Sequence, residues 1–390
     1  MENGFLALTG NEAGAEAMRQ IDPDVVAAYP ITPQTELMQK FATFHADGRV
    51  STEMILVESE HSAMSAAVGA SAAGARVMSA TSANGLALMW EIVYIAASTR
   101  LPIVIAVVNR ALSAPINIHA DHSDSMGCRD SGWIQFYSEN SQEVYDNIIQ
   151  AMKVAEHPDV LLPAMSTHDG FIISHTVERV DILKDEEVKK FIGEHHSNFP
   201  LLDVAHPVTY GPLDLYDYYF EHKKQQAEAM KSARGVILEV AQEYEKLSGR
   251  KYGFFDEYRT EDAEYIVVAL GSSAGTAKAA ADDMRESGEK VGVLKLRVFR
   301  PFPAEEIVKA LSGAKAVAVL DRSEGFSGIG GPVFQEVRSA LYRQSTIPVS
   351  NYVYGLGGRD ISPEMIAGVF RDLKDKKFYE EEALHLGVRE

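Results

Sequence analysis

The run LPIVIAVVN (101–109) is apolar at every position up to its closing asparagine. A strand with one wet face alternates apolar and polar side chains, so a run without alternation has to be covered on both faces. FLAL (5–8), VVAAY (25–29), RVMSA (76–80) and VLLPAM (160–165) are similarly β-branched or apolar. Between them lie stretches with helical spacing, such as HSAMSAAVGASAAGA (61–75) and SQEVYDNIIQAMKVAEH (141–157). Buried strands alternating with helices predict a parallel sheet with helices on both faces.

The pattern changes twice along the chain. Residues 186–213 are irregular and punctuated by Pro200, Pro207 and Pro212. A charged, helix-compatible stretch follows from Leu213 to about Leu247, with Gly235 as the expected break. A second βα series begins near Asp262 with YIVVAL, VGVLKLRVFRPF, AVAVLD and VSNYVY. The fold class expected is therefore α/β, with two open parallel-sheet domains, at 1–213 and 261–390, joined by a helical linker at 214–260. For 390 residues that is an ordinary domain count.

Composition excludes several functions. A net charge of −19 with no basic run argues against nucleic-acid binding. The apolar runs are too short to span a bilayer, so no membrane association is expected. MENGFLALTG has no basic segment leading into a long apolar core. Cytoplasmic location is the expectation. The lone cysteine, Cys128, cannot hold an iron–sulfur cluster and reads as a packed small hydrophobe.

Four stretches of the first domain end strands in polar groups, where open α/β sheets bind ligands. YPITP (29–33) brackets Thr32 with prolines, each of which removes a donor and pushes its predecessor towards extended backbone. It is either a plain strand-to-helix turn, with Thr35 as cap, or a stiff corner presenting Tyr29 and Thr32. ILVESEH (55–61) places Glu58 and Glu60 before a helix of Ala, Ser and Gly. They read as solvated acids or as a carboxylate able to share a proton with a ring nitrogen. Thr81, Ser82, Asn84 and Gly85 form a polar turn that can hold a ligand or cap a helix. Arg110 suits a substrate carboxylate or a structural ion pair equally. No metal is expected: His119, Asp121, His122 and Asp124 follow no metal-ligand spacing. VVALGSSAGTAKAA (267–280) lacks the dinucleotide GxGxxG, and GFSGIGGP (325–332) reads as a turn before a helix.

Together, YPITP, SEH, TSxxGL, NRALSAPINIHADHSD, DGFIISH, LRVFRPFP and YGLGGRD resemble the alpha subunit of the multi-subunit pyruvate:ferredoxin oxidoreductases (pyruvate synthases), in the 2-oxo acid:ferredoxin oxidoreductase family. The motifs run in order over nearly the whole chain. The resemblance implies a pyrimidine-type thiamine diphosphate domain followed by a transketolase C-terminal-like domain. It implies that the cofactor is shared with a beta subunit, which carries the diphosphate and Mg2+ side; this chain has no GDG signature of its own. It also implies gamma and delta-type partners bearing [4Fe-4S] clusters, ferredoxin as electron acceptor, and a dimer of heteromers. The activity implied is reversible oxidative decarboxylation of pyruvate with coenzyme A to acetyl-CoA and CO2.

By the same resemblance Glu60 is catalytic and hydrogen-bonds the aminopyrimidine ring. Thr81, Ser82 and Asn84 flank the cofactor, while Thr32, Arg110 and Tyr29 face the substrate. Related 2-oxoglutarate enzymes have a glycine- and serine-rich stretch in place of RALSAP, and the oxalate enzyme has an arginine at the Thr32 position. Both departures favour a small 2-oxo acid, with branched or longer acids, or a non-catalytic scaffold, as alternatives.

Overall fold

The computed structural model of the chain describes residues 4–389; the start of MENGFLALTG and Glu390 lie outside the described residues. The strands are β1 (Gly4–Leu8), β2 (Val25–Ala28), β3 (Glu53–Leu56), β4 (Val77–Thr81), β5 (Val104–Asn109), β6 (Ile134–Tyr137), β7 (Ala164–Asp169) and β8 (Glu178–Ile182) in the first part. The second part holds β9 (Phe255–Tyr258), β10 (Tyr265–Leu270), β11 (Val291–Leu296), β12 (Val298–Arg300), β13 (Ala316–Asp321), β14 (Val349–Tyr354) and β15 (Leu384–Leu386).

The first sheet has seven strands in the order β12-β6-β7-β5-β4-β2-β3, parallel except for β12. Every residue of β5 is buried, as its unbroken apolar run requires. Helices Gly10–Ile21, Thr35–Ala46, Ser141–Glu156 and Tyr219–Ser248 pack on one face, and Glu60–Ala73 and Trp90–Ser98 on the other. Their starts are written locally. Thr9 and Glu12 form a capping box, and the side chains of Ser59 and Asn140 accept from the N–H groups of Ser62 and Glu143. The second sheet, β15-β14-β13-β10-β11-β9, is parallel except for the edge strand β9. No described helix is long and apolar enough to cross a membrane.

Local readings shift in five places. FLAL is not in the main sheet, since β1 pairs antiparallel with β8 in a two-stranded sheet of its own. VLLPAM starts its strand only at Ala164, because Val160 and Leu161 close a turn onto His157. Thr35 is the first helical residue and not the cap; Gln34 precedes it and sends its side-chain amide to the carbonyl of Ala80 at 2.9 Å. The linking helix runs unbroken from Tyr219 to Ser248 through Gly235. LRVFRPF divides between the two sheets: β11 ends at Leu296, and Val298–Arg300 then pairs with β6 of the first sheet. Arg297 turns the corner, its guanidinium buried against Asn147 (2.7 Å) and Gln150 (2.9 Å).

The carboxyl ends of the two sheets meet at a buried ion cluster. Asp169, at the end of β7, accepts from His122 Nε2 (2.7 Å), the Ser272 N–H (2.9 Å) and Arg322 (3.0 Å), with the Ser272 hydroxyl close by. Asp169, His122 and Arg322 are each at most 3% exposed. The Arg322 cation and the hydrogen bonds from His122 and Ser272 hold the Asp169 carboxyl far below the usual range despite its burial. The glycine-serine turn after β10, which resembles a nucleotide loop in sequence, thus serves the domain junction. Similarly, the N–H groups of Val333 and Phe334 that follow GFSGIGGP are taken by the Asp321 carboxylate at 2.8 and 2.9 Å.

Removing one partner from a buried ion cluster leaves the other charge uncompensated. Arg322→Met is therefore expected to destabilise the chain by ~3–5 kcal/mol, read as a lowered midpoint of chemical unfolding.

Candidate active site

The carboxyl ends of β2, β3, β4 and β5 deliver four polar segments to one edge of the first sheet, facing the second domain. Glu60 opens its helix directly after the N-cap Ser59 and is 6% exposed. Glu58 behaves differently. It is solvent-facing, and a hydrogen bond from Ser62 lowers its pKa. Glu58 precedes the N-cap and stays wet, whereas Glu60 is the first helical residue and is buried.

Glu60 lies against the turn after β4. A Cβ on Gly85 would fall 2.6 Å from Thr81 Oγ1 and 2.8 Å from Glu60 Oε1, so only glycine leaves room for these groups. The Thr81 and Ser82 hydroxyls are fully buried and have no hydrogen-bond partner. Buried polar atoms are nearly always paired, so these two hydroxyls are candidates for a polar ligand at this turn. Asn84 is exposed, and its side-chain oxygen accepts the Ser113 N–H at 3.2 Å, joining the turn to the segment after Arg110.

Arg110 is 7% exposed and folds back over its own loop. Its Nε donates to the Asn117 carbonyl at 2.9 Å and one terminal nitrogen to the Thr32 carbonyl at 3.0 Å. The guanidinium therefore meets the YPITP corner directly, with its second terminal nitrogen in no hydrogen bond. That corner is fixed from below, since Asn11 donates to the Pro33 carbonyl at 2.9 Å. Pro33 also packs on Gly170, where a Cβ would meet Pro33 Cγ at 2.6 Å. Thr32 is exposed at the tip. Tyr29 is half-buried and shares no hydrogen bond with Arg110 or Glu60.

The structure thus brings Glu60 and Thr81 together around Gly85, and Arg110 with Thr32; Ser82 follows Thr81 in the same turn, and Tyr29 stands apart. Asp124 is a member that sequence spacing missed. It is buried, accepts four hydrogen bonds from the ends of β4 and β5 and from its own helix, and burial pushes its carboxyl up to about 6. His122 and Asp124 were noticeable in sequence only as a possible metal cluster. Here they are spent on Asp169 and on backbone N–H groups, and no cluster among the described residues is arranged to hold a metal. Cys128 is buried and its thiol is pushed up to about 12 by that burial.

The second domain roofs this edge. Asn117 donates to the Gly357 carbonyl (2.9 Å), and the Gly357 N–H donates to Asp121 (3.2 Å). Gly357 and Gly358 have φ of 60° and 79°, and a Cβ on either would come within 2.3 Å of Asn117 or His119. YGLGGRD is glycine-rich because NIHAD lies against its backbone.

Residues 16–242 match the family described as pyruvate flavodoxin/ferredoxin oxidoreductase, thiamine diphosphate-binding. Residues 263–366 match the pyruvate:ferredoxin oxidoreductase core domain II. The chain is 61% identical to pyruvate synthase subunit PorA of Thermotoga maritima, over 99% of this chain and 98% of that one. It is 47% identical to PorA of Methanocaldococcus jannaschii over 98% of each chain. Ketoisovalerate oxidoreductase subunit VorA of Pyrococcus abyssi is 44% identical over 94% of this chain and 93% of that protein. Among solved structures, 2-oxoglutarate:ferredoxin oxidoreductase from Magnetococcus marinus has a similar fold, with TM-score 0.74 and 19% identity. The match takes in 95% of this chain, which spans 65% of the length of that longer one. A split-gene transketolase superposes with TM-score 0.56 at 13% identity, over 94% of this chain and 98% of that one.

Two glycines give opposite expectations. Gly69 sits exposed inside a helix with open space at its Cβ position, so Gly69→Ala should stabilise the protein by ~0.5–1 kcal/mol. Gly85→Ala gains the same propensity but presses on Glu60 and Thr81, and is expected to destabilise by ~1–3 kcal/mol. Chemical unfolding of the two variants beside the parent checks both signs.

Proposed function

From the premise that this chain belongs to the pyruvate flavodoxin/ferredoxin oxidoreductase family, we propose that it is the alpha subunit of a pyruvate synthase, contributing the pyrimidine side of a thiamine diphosphate site. The observation that carries this is buried Glu60 beside the Thr81 hydroxyl across Gly85, in the turn joined through Asn84 to the segment after Arg110. An acid beside a hydroxyl fits an aminopyrimidine, whose ring nitrogens and amino group need donors and acceptors at close quarters.

Bound there, thiamine diphosphate supplies the carbon nucleophile that attacks a 2-oxo acid and the electron sink for the loss of CO2. This chain does the rest of the work on its side. Glu60 would hold a proton at a ring nitrogen of the aminopyrimidine and so orient that ring. Arg110 offers its free terminal nitrogen to the substrate carboxylate, while its bonds to Thr32 and Asn117 fix where that carboxylate sits. Thr32 at the exposed tip of the corner faces the small side of the 2-oxo acid, and Asn84 steadies the loop that carries Arg110.

Several large apolar side chains near the edge stand open to solvent, among them Leu56 at 78%, Ile116 at 79% and Trp90 at 44% exposure. A site bordered by exposed apolar groups is completed by another chain. We assign to that beta-type partner the diphosphate and Mg2+, and to gamma and delta-type partners the [4Fe-4S] clusters that pass electrons singly to ferredoxin. Coenzyme A then accepts the acetyl group. A branched 2-oxo acid is the second reading, favoured by the similarity to VorA.

The test is anaerobic purification of the complex and viologen reduction with pyruvate, with and without coenzyme A. Coenzyme A-dependent reduction is expected; reduction only with 2-oxoisovalerate would move the assignment to the second reading. Glu60→Gln is expected to lower kcat by ~10²–10⁴-fold with the complex still assembled. Arg110→Lys cannot reproduce the planar fork and is expected to raise the pyruvate KM by about tenfold or more.

A further inference from the structure

We propose that Asp124 is a positioning residue that sets the cofactor-facing turn and the substrate-facing arginine from a single carboxylate. The inference rests on the reading of Glu60 and Arg110 given above, and adds to it the part that couples their two halves.

Asp124 is 3% exposed and touches neither of the groups that would meet substrate or cofactor. One of its oxygens accepts the N–H of Ala83 and the N–H of Arg110, each at 3.0 Å. Its other oxygen accepts the Asn109 side-chain amide at 2.8 Å and the Ser125 N–H at 2.7 Å. Three segments distant in sequence therefore converge on one side chain: the turn after β4, the end of β5, and the helix Ser123–Gly127.

The two backbone donors are the informative ones. Ala83 has φ of +40°, a left-handed backbone that alanine adopts only at a cost. It lies between Ser82, whose hydroxyl is unpartnered, and the Asn84-Gly85 pair beside Ser113 and Glu60. Pinning the Ala83 N–H thus fixes how that turn faces Glu60. Pinning the Arg110 N–H fixes the root of the side chain that reaches the Thr32 carbonyl. Four donors on two oxygens call for a group that only accepts, which is an ionised carboxylate. An amide retains one accepting oxygen and turns a donor towards two N–H groups.

The discriminating experiment uses the assembled complex in three forms: Asp124→Asn, Asp124→Asn with Ala83→Gly, and Asn109→Ala. Two constants are read, the pyruvate KM by viologen reduction and the thiamine diphosphate Kd by calorimetry on cofactor-free complex with Mg2+ present. Asp124→Asn is expected to raise both by about tenfold, the loss of one to two kcal/mol that charge-assisted hydrogen bonds carry. Glycine takes the φ of position 83 without strain. Adding Ala83→Gly should therefore restore the cofactor Kd and leave the pyruvate KM raised, a split that a general loss of stability does not produce. Asn109→Ala, which removes one donor and keeps the carboxylate, is expected to move both constants in the same direction by about threefold. It serves as the test if Asp124→Asn does not assemble.

Constants within twofold of the parent in Asp124→Asn, or in Asn109→Ala where that stands in, overturn the proposal. So does a double variant in which both constants remain raised alike, since Asp124 would then act only on overall stability. A parent complex with no pyruvate or 2-oxoisovalerate activity would instead overturn the functional reading itself.

Discussion

The junction at Asp169 holds the molecule in its working shape. A carboxylate stripped of water is tolerated only when its charge is answered in place, and here the answers come from both domains: His122 from the first, Arg322 and Ser272 from the second. Because Asp169 ends β7 and Ser272 and Arg322 follow strand ends of the second sheet, the cluster forces the carboxyl edges of the two sheets to face each other. The Asn117–Asp121 segment of the first edge is thereby covered by Gly357 and Gly358, while Thr32 and Asn84 stay exposed beside it. Burial at this edge strengthens the hydrogen bonds that the Arg110 guanidinium makes to the Thr32 and Asn117 carbonyls.

Division of labour among acidic side chains follows from the same logic. Glu58 and Glu60 are two residues apart, yet one is solvated and the other buried beside the unpartnered Thr81 hydroxyl. Asp124 and Asp169 are both buried but are pulled in opposite directions. Asp169 faces the Arg322 cation and donors from His122 and Ser272 and is lowered, while Asp124 has only neutral donors and is raised by burial. Depth raises a carboxyl in this fold, and the charge of its neighbours decides whether that rise is overcome.

Much of this was legible in the sequence, and the limit has a physical cause. Unbroken apolar runs such as VIAVVN and AVAVLD identified buried parallel strands, because burial on both faces leaves a mark within a few residues. Polar residues closing those runs marked the edge that carries Glu60, Thr81 and Arg110. What sequence could not supply was any partner distant along the chain. His122 and Asp124 form a cluster with metal-like composition, and only the fold shows that each is claimed by groups brought from elsewhere. The turn Gly271–Ser273 was likewise readable as glycine- and serine-rich, but its role lies in Asp169, about a hundred residues earlier. The antiparallel strands β1, β8 and β9 carry mixed, partly exposed patterns that give short-range reading little to hold.

The exchange of β12 between sheets has a bearing on how the chain is made. The strand that covers β6 is encoded beyond the linking helix and all of β11, so that edge of the first sheet is completed only once residues 298–300 are made. An unpaired strand edge is a template for pairing with other chains. The first sheet thus owes the protection of one edge to a three-residue piece of the other half of the chain.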